Sequence, residues 1–207
     1  MKKVLTLIFV IAILVVGMAP AMANPSIGTP TMTGEAEVIR DEEHPVSAEV
    51  AERLDNGWSF GATEVQPEMI TNTDVAEAVK DVNSSETNAT PEDTLNSLQA
   101  LQPEDGLTAA DLAGYDYVTQ FTALVLTDGT EYYFTGEDDK MVIRVKLKID
   151  ALVGENPENL GNYLVMVIDP NTGVVTTSPL LADTFDSAEG TVDVEFSSTG
   201  MFALIQK

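Results

Sequence analysis

The side chains that most often carry catalysis are scarce in this sequence. It contains one histidine, His44, and no cysteine. These counts exclude a zinc site built from Cys and His ligands and a Cys/His nucleophile pair. A Ser-His-Asp triad would have to use His44, which lies in the charged stretch RDEEHPV. In that context the sequence favours an exposed loop histidine over a catalytic one.

Carboxylates, in contrast, are abundant, with 34 Asp and Glu in the chain. Glycoside hydrolysis uses a pair of them on either side of the scissile bond. Enzymes of that kind usually also present aromatic platforms for sugar rings, and here aromatics make up 6% of the residues. Trp58 and Phe60, in the stretch NGWSFG, are instead predicted to pack in a small core. A glycoside hydrolase is therefore the third hypothesis for function. The chain is predicted not to be an enzyme, and no catalytic residue is assigned.

Calcium is the metal that suits this composition, because it prefers oxygen ligands. Two acidic clusters could supply them, one at residues 41–43 and the other at Glu137, Asp138 and Asp139. The segment DPNTG, residues 169–173, resembles part of an EF-hand loop, but it lacks the third acidic position and the distal glutamate. It therefore predicts a turn. The weak calcium candidates are Glu137, Asp138 and Asp139, with a solvated loop as the alternative, and no other cofactor is predicted.

The charge balance narrows the range of partners. With ten Lys and Arg against 34 acids, the formal net charge is −24. Such a charge argues against nucleic acid as a partner, because the phosphate backbone would be repelled. The sequence also lacks the GxGxxG, P-loop and SxxK motifs, so no nucleotide site is predicted. An extracellular protein or glycan is the partner class that remains.

The first 25 residues, MKKVLTLIFVIAILVVGMAPAMANP, have the order of a secretory signal peptide. A basic start precedes an apolar run, and small residues around Ala23 form a cleavage site. An uncleaved membrane anchor is the alternative, but the apolar run falls short of the roughly 20 residues that a spanning helix needs. We expect a signal peptide at residues 1–23 and a secreted protein that leaves the membrane after cleavage. The absence of disulfides favours a bacterial source.

Residues 24–104 are predicted to form an acidic, partly helical region. In DVAEAVKDV, residues 74–82, small apolar residues recur at helical spacing. In TPEDTLNSLQALQP, Thr90 suits the N-cap of a second helix, followed by proline at the first helical position and two acids in the first turn. The buried stripe of that helix would consist of Leu95, Leu98 and Leu101.

Residues 105–207 have a different texture, with seven short β runs separated by turns. Two of the runs flank Asp128-Gly129, which suits a tight primed turn, and another turn is predicted at Pro170 to Gly173. No helix-length pattern separates the runs, which disfavours a parallel sheet. The prediction is a mainly β protein with an antiparallel, Ig-like β-sandwich over residues 105–207 that folds on its own.

The stretch MVIRVKLKID gathers cations in an otherwise acidic chain. Because strand side chains alternate between faces, Arg144, Lys146 and Lys148 should point to one side. The residues predicted to be buried on the other side are Met141, Ile143, Val145, Leu147 and Ile149. The cations are predicted to face acids on neighbouring strands. The alternative is a basic stripe that binds an anionic wall polymer or glycan.

Four stretches of the second region resemble a known module: DLAGYDYVTQFTALVLTDG, IRVKLKIDALV, NYLVMVIDPNTGVV and GTVDVEFSSTGMFALIQK. Residues 111–207 resemble the C-terminal β-sandwich module of uncharacterised secreted proteins of Gram-positive gut bacteria. The matching residues of the opening hairpin and closing strand are Gly114, Tyr115, Phe121, Asp128, Gly129, Ser198, Gly200, Phe202 and Ala203. The resemblance implies an extracellular, non-catalytic module and supplies no catalytic residue.

The function that we predict is a secreted, non-catalytic interaction or structural module of a bacterium. A module that binds calcium or an anionic glycan is the alternative, and a glycoside hydrolase is the third hypothesis.

Overall fold

The computed structural model describes residues 28–84, 88–136 and 140–207. The strands in these ranges are β1 (Thr31–Met32), β2 (Glu37–Ile39), β3 (Ser59–Glu64), β4 (Asp116–Tyr117), β5 (Thr122–Thr127), β6 (Tyr132–Tyr133), β7 (Val142–Lys148), β8 (Tyr163–Ile168), β9 (Val175–Asp186), β10 (Thr191–Phe196) and β11 (Gly200–Gln206). The α-helices are α1 (Ala48–Asp55), α2 (Thr73–Asn83) and α3 (Pro91–Ser97). Short 3-10 helices lie at Pro67–Met69, Gln99–Leu101, Ala109–Leu112, Asp150–Leu152 and Pro157–Asn162.

Two of the sequence predictions fall outside the described residues. They are the signal peptide with its cleavage site at Ala23, and the calcium candidates Glu137, Asp138 and Asp139. Among the residues that are described, none of the helices combines the length and the apolar character needed to cross a membrane.

The strands form one curled antiparallel sheet, which confirms the mainly β fold class. Its order is β1-β7-β10-β9-β8-β11-β5-β3, with β2 also on β7, β4 on β11 and β6 on β5. Closure into a two-layered, Ig-like sandwich stays a prediction. One isolated bridge, between Gly28 and Thr119, is parallel.

The inner face of the curled sheet packs into a hydrophobic cluster that we call the first core. On β7 the predicted alternation is confirmed, because Ile143, Val145 and Leu147 are each 0% exposed while Lys146 between them is exposed. The members of the first core are Val50, Phe60, Leu124, Leu126, Met141, Ile143, Val145, Leu147, Ile149, Leu152, Leu160, Tyr163, Val165, Val167, Leu180, Val192, Val194, Phe196, Phe202 and Leu204. The small core predicted around Trp58 and Phe60 is a part of this larger one.

The outward face of β5, β8 and β11 packs under α2 and α3 into a second core. Its buried members are Met69, Val75, Ala78, Val79, Val82, Leu95, Leu98, Leu112, Phe121, Ala123, Val125, Met166, Ile168, Val175, Met201, Ala203 and Ile205. Both predicted helices are confirmed. Asn72 caps α2 through its side chain, and Thr90 and Asp93 form a capping box at the start of α3. Leu95 and Leu98 are buried as predicted, and Leu101 is half-buried.

The region before residue 105 supplies strands as well as helices. β1 and β2 pair with β7, and β3 pairs with β5 over six residue pairs. The sequence did not predict these three strands or α1, whose Val50 is buried in the first core. Strands of one sheet thus lie on both sides of the predicted boundary at residue 105, and the division into separate domains stays a prediction.

Two predicted turns occur in the sheet, one of them in a longer form. The hairpin of β5 and β6 is confirmed, but its loop contains four residues, 128–131, instead of a two-residue primed turn. The carboxylate of Asp128 explains the length, because it accepts the backbone N–H groups of Thr130 and Glu131 and so closes a wider loop. The predicted turn between β8 and β9 is confirmed, with Gly173 at a φ of +79°.

Candidate functional site

A cleft of about 660 Å³ opens between the β8–β9 hairpin, the start of β7 and the end of β10. We call it the hairpin cleft. Its lining residues are Glu43, His44, Pro103, Thr135, Gly136, Lys140, Val142, Val167, Asp169, Thr172, Val174, Thr176, Ser197 and Ser198. It unites the single histidine, one of the few cations and two carboxylates, and its volume is in the range of ligand pockets.

The floor of the hairpin cleft is apolar and rigidly held. Val167 lies on β8 and belongs to the first core, while Val142 and Val174 are half-buried. Thr135, which also lines the cleft, and Thr199 are both buried, and the backbone N–H of each donates to the hydroxyl of the other, at 2.7 and 3.2 Å. This reciprocal pair fixes the segment after β6 to the start of β11. The apolar floor is therefore bordered by a segment that these two hydrogen bonds hold in place.

The carboxylate of Asp169 on the rim is already engaged. Its Oδ1 accepts hydrogen bonds from the backbone N–H groups of Asn171 and Thr172, at 2.8 and 2.7 Å. The turn continues to Gly173, where a Cβ atom would collide with the side chain of Leu101. Asp169 thus shapes the turn. The sequence prediction that DPNTG forms a turn instead of a calcium loop agrees with this geometry.

His44 lies on the opposite rim and is half-buried. Its Nδ1 lies 2.9 Å from Oδ1 of Asp41, and the same oxygen accepts the backbone N–H of His44 at 2.8 Å. The backbone hydrogen bond from His44, more than the side-chain contact, holds the pKa of Asp41 below its usual range. The prediction of an exposed loop histidine is thus confirmed for the loop, but the side chain is half-buried and tied to its own loop.

The cationic stripe of β7 is paired with acids along its whole length. Nε of Arg144 donates to Oε1 of Glu195 at 3.0 Å, and Nη1 of the same residue lies 3.4 Å from Oε2 of Glu37. Nζ of Lys146 lies 2.9 Å from Oδ1 of Asp193. These contacts confirm the predicted cross-strand pairs. The cations that an anionic glycan would need are therefore already paired with carboxylates of this chain.

Lys148 continues the series at longer range, with its Nζ 3.9 Å from Oε2 of Glu189. In the register of the sheet, Lys146 is opposite Asp193 and Arg144 is opposite Glu195 on β10. The outward face of β7 and β10 is therefore a ladder of ion pairs, which lowers the self-repulsion of an acidic chain.

Calcium ligands do not assemble among residues 28–84, 88–136 and 140–207, where no group of three or more Asp, Glu or His could hold a metal ion. The acidic stretch 41–43 illustrates the reason. Asp41 turns its carboxylate inward to the backbone of its own loop, including the N–H of Glu43 at 2.9 Å.

In the part of the chain that the structure describes, the carboxyl groups with shifted pKa values all shift downward. Hydrogen bonds from Thr90 lower the pKa of Asp93, those from Thr108 lower that of Asp111, and those from the backbone of Glu131 and Thr130 lower that of Asp128. Each of these carboxylates accepts hydrogen bonds in a helix cap or a turn. A general acid at neutral pH needs a shift in the opposite direction.

The stretch GWSFG, residues 57–61, fits the pattern G-x-S-x-G, although no serine-hydrolase site is predicted from the sequence. In a nucleophile elbow the serine lies on a sharp turn from a strand into a helix. Here the order is reversed, because α1 precedes the motif and Ser59 begins β3, paired with Thr127 on β5. The local structure is therefore an edge strand instead of an elbow.

Two side-chain amides also escaped prediction. Asn83 at the end of α2 accepts the N–H of Phe121 at 2.7 Å and donates to its carbonyl at 3.2 Å. Gln102 donates to the carbonyl of Gly173 and accepts the N–H of Val175, both at 2.9 Å. Each amide acts as a substitute strand partner. No local pattern reveals such a role, since the partners lie 38 to 73 residues away.

Aromatic side chains form a further cluster near α1. The guanidinium of Arg53 lies over the ring of Tyr133 at 4.2 Å and over that of Trp58 at 4.7 Å. It also donates to Glu49 at 3.1 Å. Because the guanidinium occupies the space between the two rings, this cluster anchors α1 on the sheet.

Comparison of the chain with protein-family models, with curated proteins and with solved structures found no match. The hairpin cleft, with its apolar floor and its engaged polar rim, is therefore the candidate functional site on its geometry alone.

Proposed function

We propose that this chain is a secreted, non-catalytic interaction module that binds a partner at the hairpin cleft. The observation that carries the proposal is the combination of an apolar floor with a rim carboxylate, that of Asp169, which is committed to a turn. Val142, Val167 and Val174 offer a surface to an apolar group, whereas Asp169 is held by its own backbone contacts. Such a site suits recognition, because its polar groups fix the shape of the cleft.

The net charge and the N-terminal sequence support the extracellular part of the proposal. A formal charge of −24 keeps a protein soluble and steers cationic partners toward it. The order of a basic start, an apolar run and small residues at Ala23 is that of a signal peptide. The resemblance of residues 111–207 to a module of secreted bacterial proteins points the same way.

Export is tested by N-terminal sequencing of the protein recovered from the culture medium. We expect the sequence to begin at Asn24, because the predicted cleavage follows Ala23. Intact Met1 in the membrane fraction would contradict the extracellular part of the proposal.

Binding at the cleft is tested with a photo-crosslinking amino acid at Ser198 on the cleft rim. A matched variant carries the same group at Asp183, an exposed residue of β9 that does not line the cleft. Both are expressed in the producing cells and irradiated. A discrete crosslinked product from position 198 and none from position 183 is the expected result. Equal products from both positions, or none from either, would remove the cleft from the proposal.

A further inference from the structure

The strand β9 is twice as long as its neighbours and changes partner along its length. It contains 12 residues, whereas β8 and β10 contain 6 each. Residues 175–179 pair with β8, and β10 pairs with β9 only from Leu180 onward. Among the described residues, no strand pairs with residues 175–179 of β9 on the side away from β8, and we call this side the free edge.

The direction of the backbone groups on this edge follows from the register. The carbonyl of Val174 accepts the N–H of Asp169 and so points toward β8. In an antiparallel strand the backbone groups alternate, so those of Val175 and Thr177 point to the free edge. Within the part of the chain that the structure describes, Gln102 takes the N–H of Val175, and no strand pairs with Thr177 on this side. Pro179 lies on the same edge and has no N–H to offer.

Clefts flank this edge on both faces of the sheet. The hairpin cleft lies on one side, and a second cleft of about 500 Å³ lies on the other, bordered by Pro103, Asp105, Gly106, Leu107, Asp111 and residues 174–177 of the strand. The two clefts share Pro103, Val174 and Thr176. An extended chain that paired with the edge would thus place alternate side chains in the two clefts.

The two clefts differ in the side chains that they would accept. The hairpin cleft has the valine floor described above. The second cleft presents two exposed carboxylates, Asp105 and Asp111, and the pKa of Asp111 is lowered by its hydrogen bonds to Thr108. A partner strand with apolar residues on one face and Lys or Arg on the other matches both.

We propose that the free edge of β9 binds an extended segment of a partner polypeptide by β-strand addition, with apolar side chains in the hairpin cleft and basic side chains over Asp105 and Asp111. This inference rests on the proposed function and specifies the partner as an extended polypeptide segment that alternates apolar and basic residues. The added strand would begin where the substitute pairing by Gln102 ends and would continue along Thr177. The acidic charge of the whole chain favours the same cationic segment.

The test uses the chain from Asn24 to Lys207 and a fluorescein-labelled peptide, KVKVKVK, followed by fluorescence anisotropy in about 150 mM salt, near physiological ionic strength. The control peptide KKVVVKK has the same composition without the alternation. We expect the alternating peptide to bind about tenfold more tightly, the equivalent of one or two net hydrogen bonds. Equal binding of the two peptides would mean that bulk charge alone attracts them, and it would overturn the proposal.

Two protein variants test the edge and the charges. Thr177→Pro removes an N–H that points away from β8, whereas Thr177→Val keeps it. We expect the proline variant to lose about tenfold in affinity and the valine variant to stay within about twofold. Asp105→Lys should weaken binding more than Glu77→Lys, which changes the net charge equally on the exposed side of α2. No difference within either pair would contradict the proposal.

A peptide variant makes the test independent of the folding of Thr177→Pro. Two versions of KVKVKVK carry backbone N-methyl groups, one version on its lysine residues and the other on its valine residues. Each version lacks the backbone N–H donors along one edge of the peptide strand. We expect one of the two peptides to lose at least about tenfold and the other to bind nearly as before. If both bind as tightly as the parent while position 198 still crosslinks a partner, strand addition is wrong and the interaction module stands. If crosslinking also fails, the hairpin cleft is removed from the proposed function as well.

Discussion

The two outward faces of the curled sheet are covered in different ways. On β7 and β10 the outward residues are charged and partly exposed, and they form ion pairs across the strands. On β5, β8 and β11 the outward residues are apolar and buried, because α2 and α3 lie over them. One half of the sheet thus faces water, and the other half depends on helices that lie earlier in the chain.

The sequences of the strands carry this difference. TVDVEF on β10 alternates apolar and charged residues, as a strand with one wet face does. TALVLT on β5, YLVMVI on β8 and GMFALIQ on β11 are almost continuously apolar, as strands buried on both faces are. The helices of the N-terminal region are therefore the required cover of the second core.

Removing that cover is expected to have the largest effect. The fragment 105–207 would expose Phe121, Val125, Met166 and Ile168 together and would lack β3 beside β5. Because α2, α3 and β3 would be missing, we expect the fragment, in contrast to the prediction from the sequence, to bind hydrophobic dyes and to melt without a cooperative transition. Circular dichroism during heating, with residues 24–207 as the control, is the measurement. A cooperative transition of the fragment would support the domain division predicted from the sequence.

A single cavity in the second core should cost less, but still a large part of the stability. Leu95 on α3 is 0% exposed. Leu95→Ala should lower the free energy of unfolding by about 2–5 kcal/mol, through lost burial and a residual cavity. Leu101→Ala, at a half-buried position of the following 3-10 helix, should cost clearly less. Urea midpoints compare the two, and equal costs would mean that the helices do not seal the second core.

The sequence predicted the elements whose signal is local. Each of these signals lies within about ten residues: the N-cap of α3 at Thr90, the helical spacing of α2 and the alternation of β7. The structure confirms all three. The strands β1 and β2 escaped because they are only two and three residues long, and β3 escaped because its sequence, SFGATE, has no apolar alternation. All three pair with strands that lie far along the chain. Their stability comes from β7 and β5, and propensity alone does not show it.

The candidate site was harder to predict from the sequence, because its residues also lie far apart along the chain. The hairpin cleft draws on segments around His44, Pro103, Val142 and Ser198, which only the curl of the sheet brings together. One local sign did exist, because Pro179 in the middle of a long β run indicates an edge. The greater length of β9 follows from its pairing with β8 in one half and β10 in the other, and a local sequence pattern does not show that change of partner.

A cavity in the first core tests the water-facing half. Val145 on β7 is 0% exposed. Val145→Ala should cost about 1–3 kcal/mol, since burial is lost and a small cavity remains. Val142→Ala, on the outward face of the same strand and half-buried, is the matched control and should cost less. If the control proves as damaging in urea unfolding, the outward face contributes packing that the ion-pair ladder does not explain.

The cap of α3 gives a smaller effect with a defined pH dependence. Thr90→Ala should cost about 0.5–2 kcal/mol, because the hydroxyl no longer accepts the N–H of Asp93, and Thr90→Ser should restore it. Hydrogen bonds from Thr90 hold the pKa of Asp93 below its ordinary value of 3.8. A lowered folded pKa adds stability above 3.8 that is lost as the pH falls through the folded pKa.

The alanine variant should therefore differ most from the parent near neutral pH, and the difference should narrow as the pH falls below 3.8. Urea titrations at several pH values measure this. A difference that stays constant across the range would show that the cap acts without its link to Asp93.

The ion-pair ladder should give the smallest effect. Lys146→Gln removes the cation that lies 2.9 Å from Oδ1 of Asp193, but the side chain of Lys146 is 46% exposed. Exposed pairs contribute little, so the cost should stay below about 1 kcal/mol and shrink further in 1 M salt. The burial of the partner allows a second outcome, because the side chain of Asp193 is only 16% exposed. If the cost is well above that limit and persists in salt, most of it comes from leaving the partly buried carboxylate of Asp193 without its cation. Lys146→Gln combined with Asp193→Asn would then recover most of the loss, because the buried charge is gone.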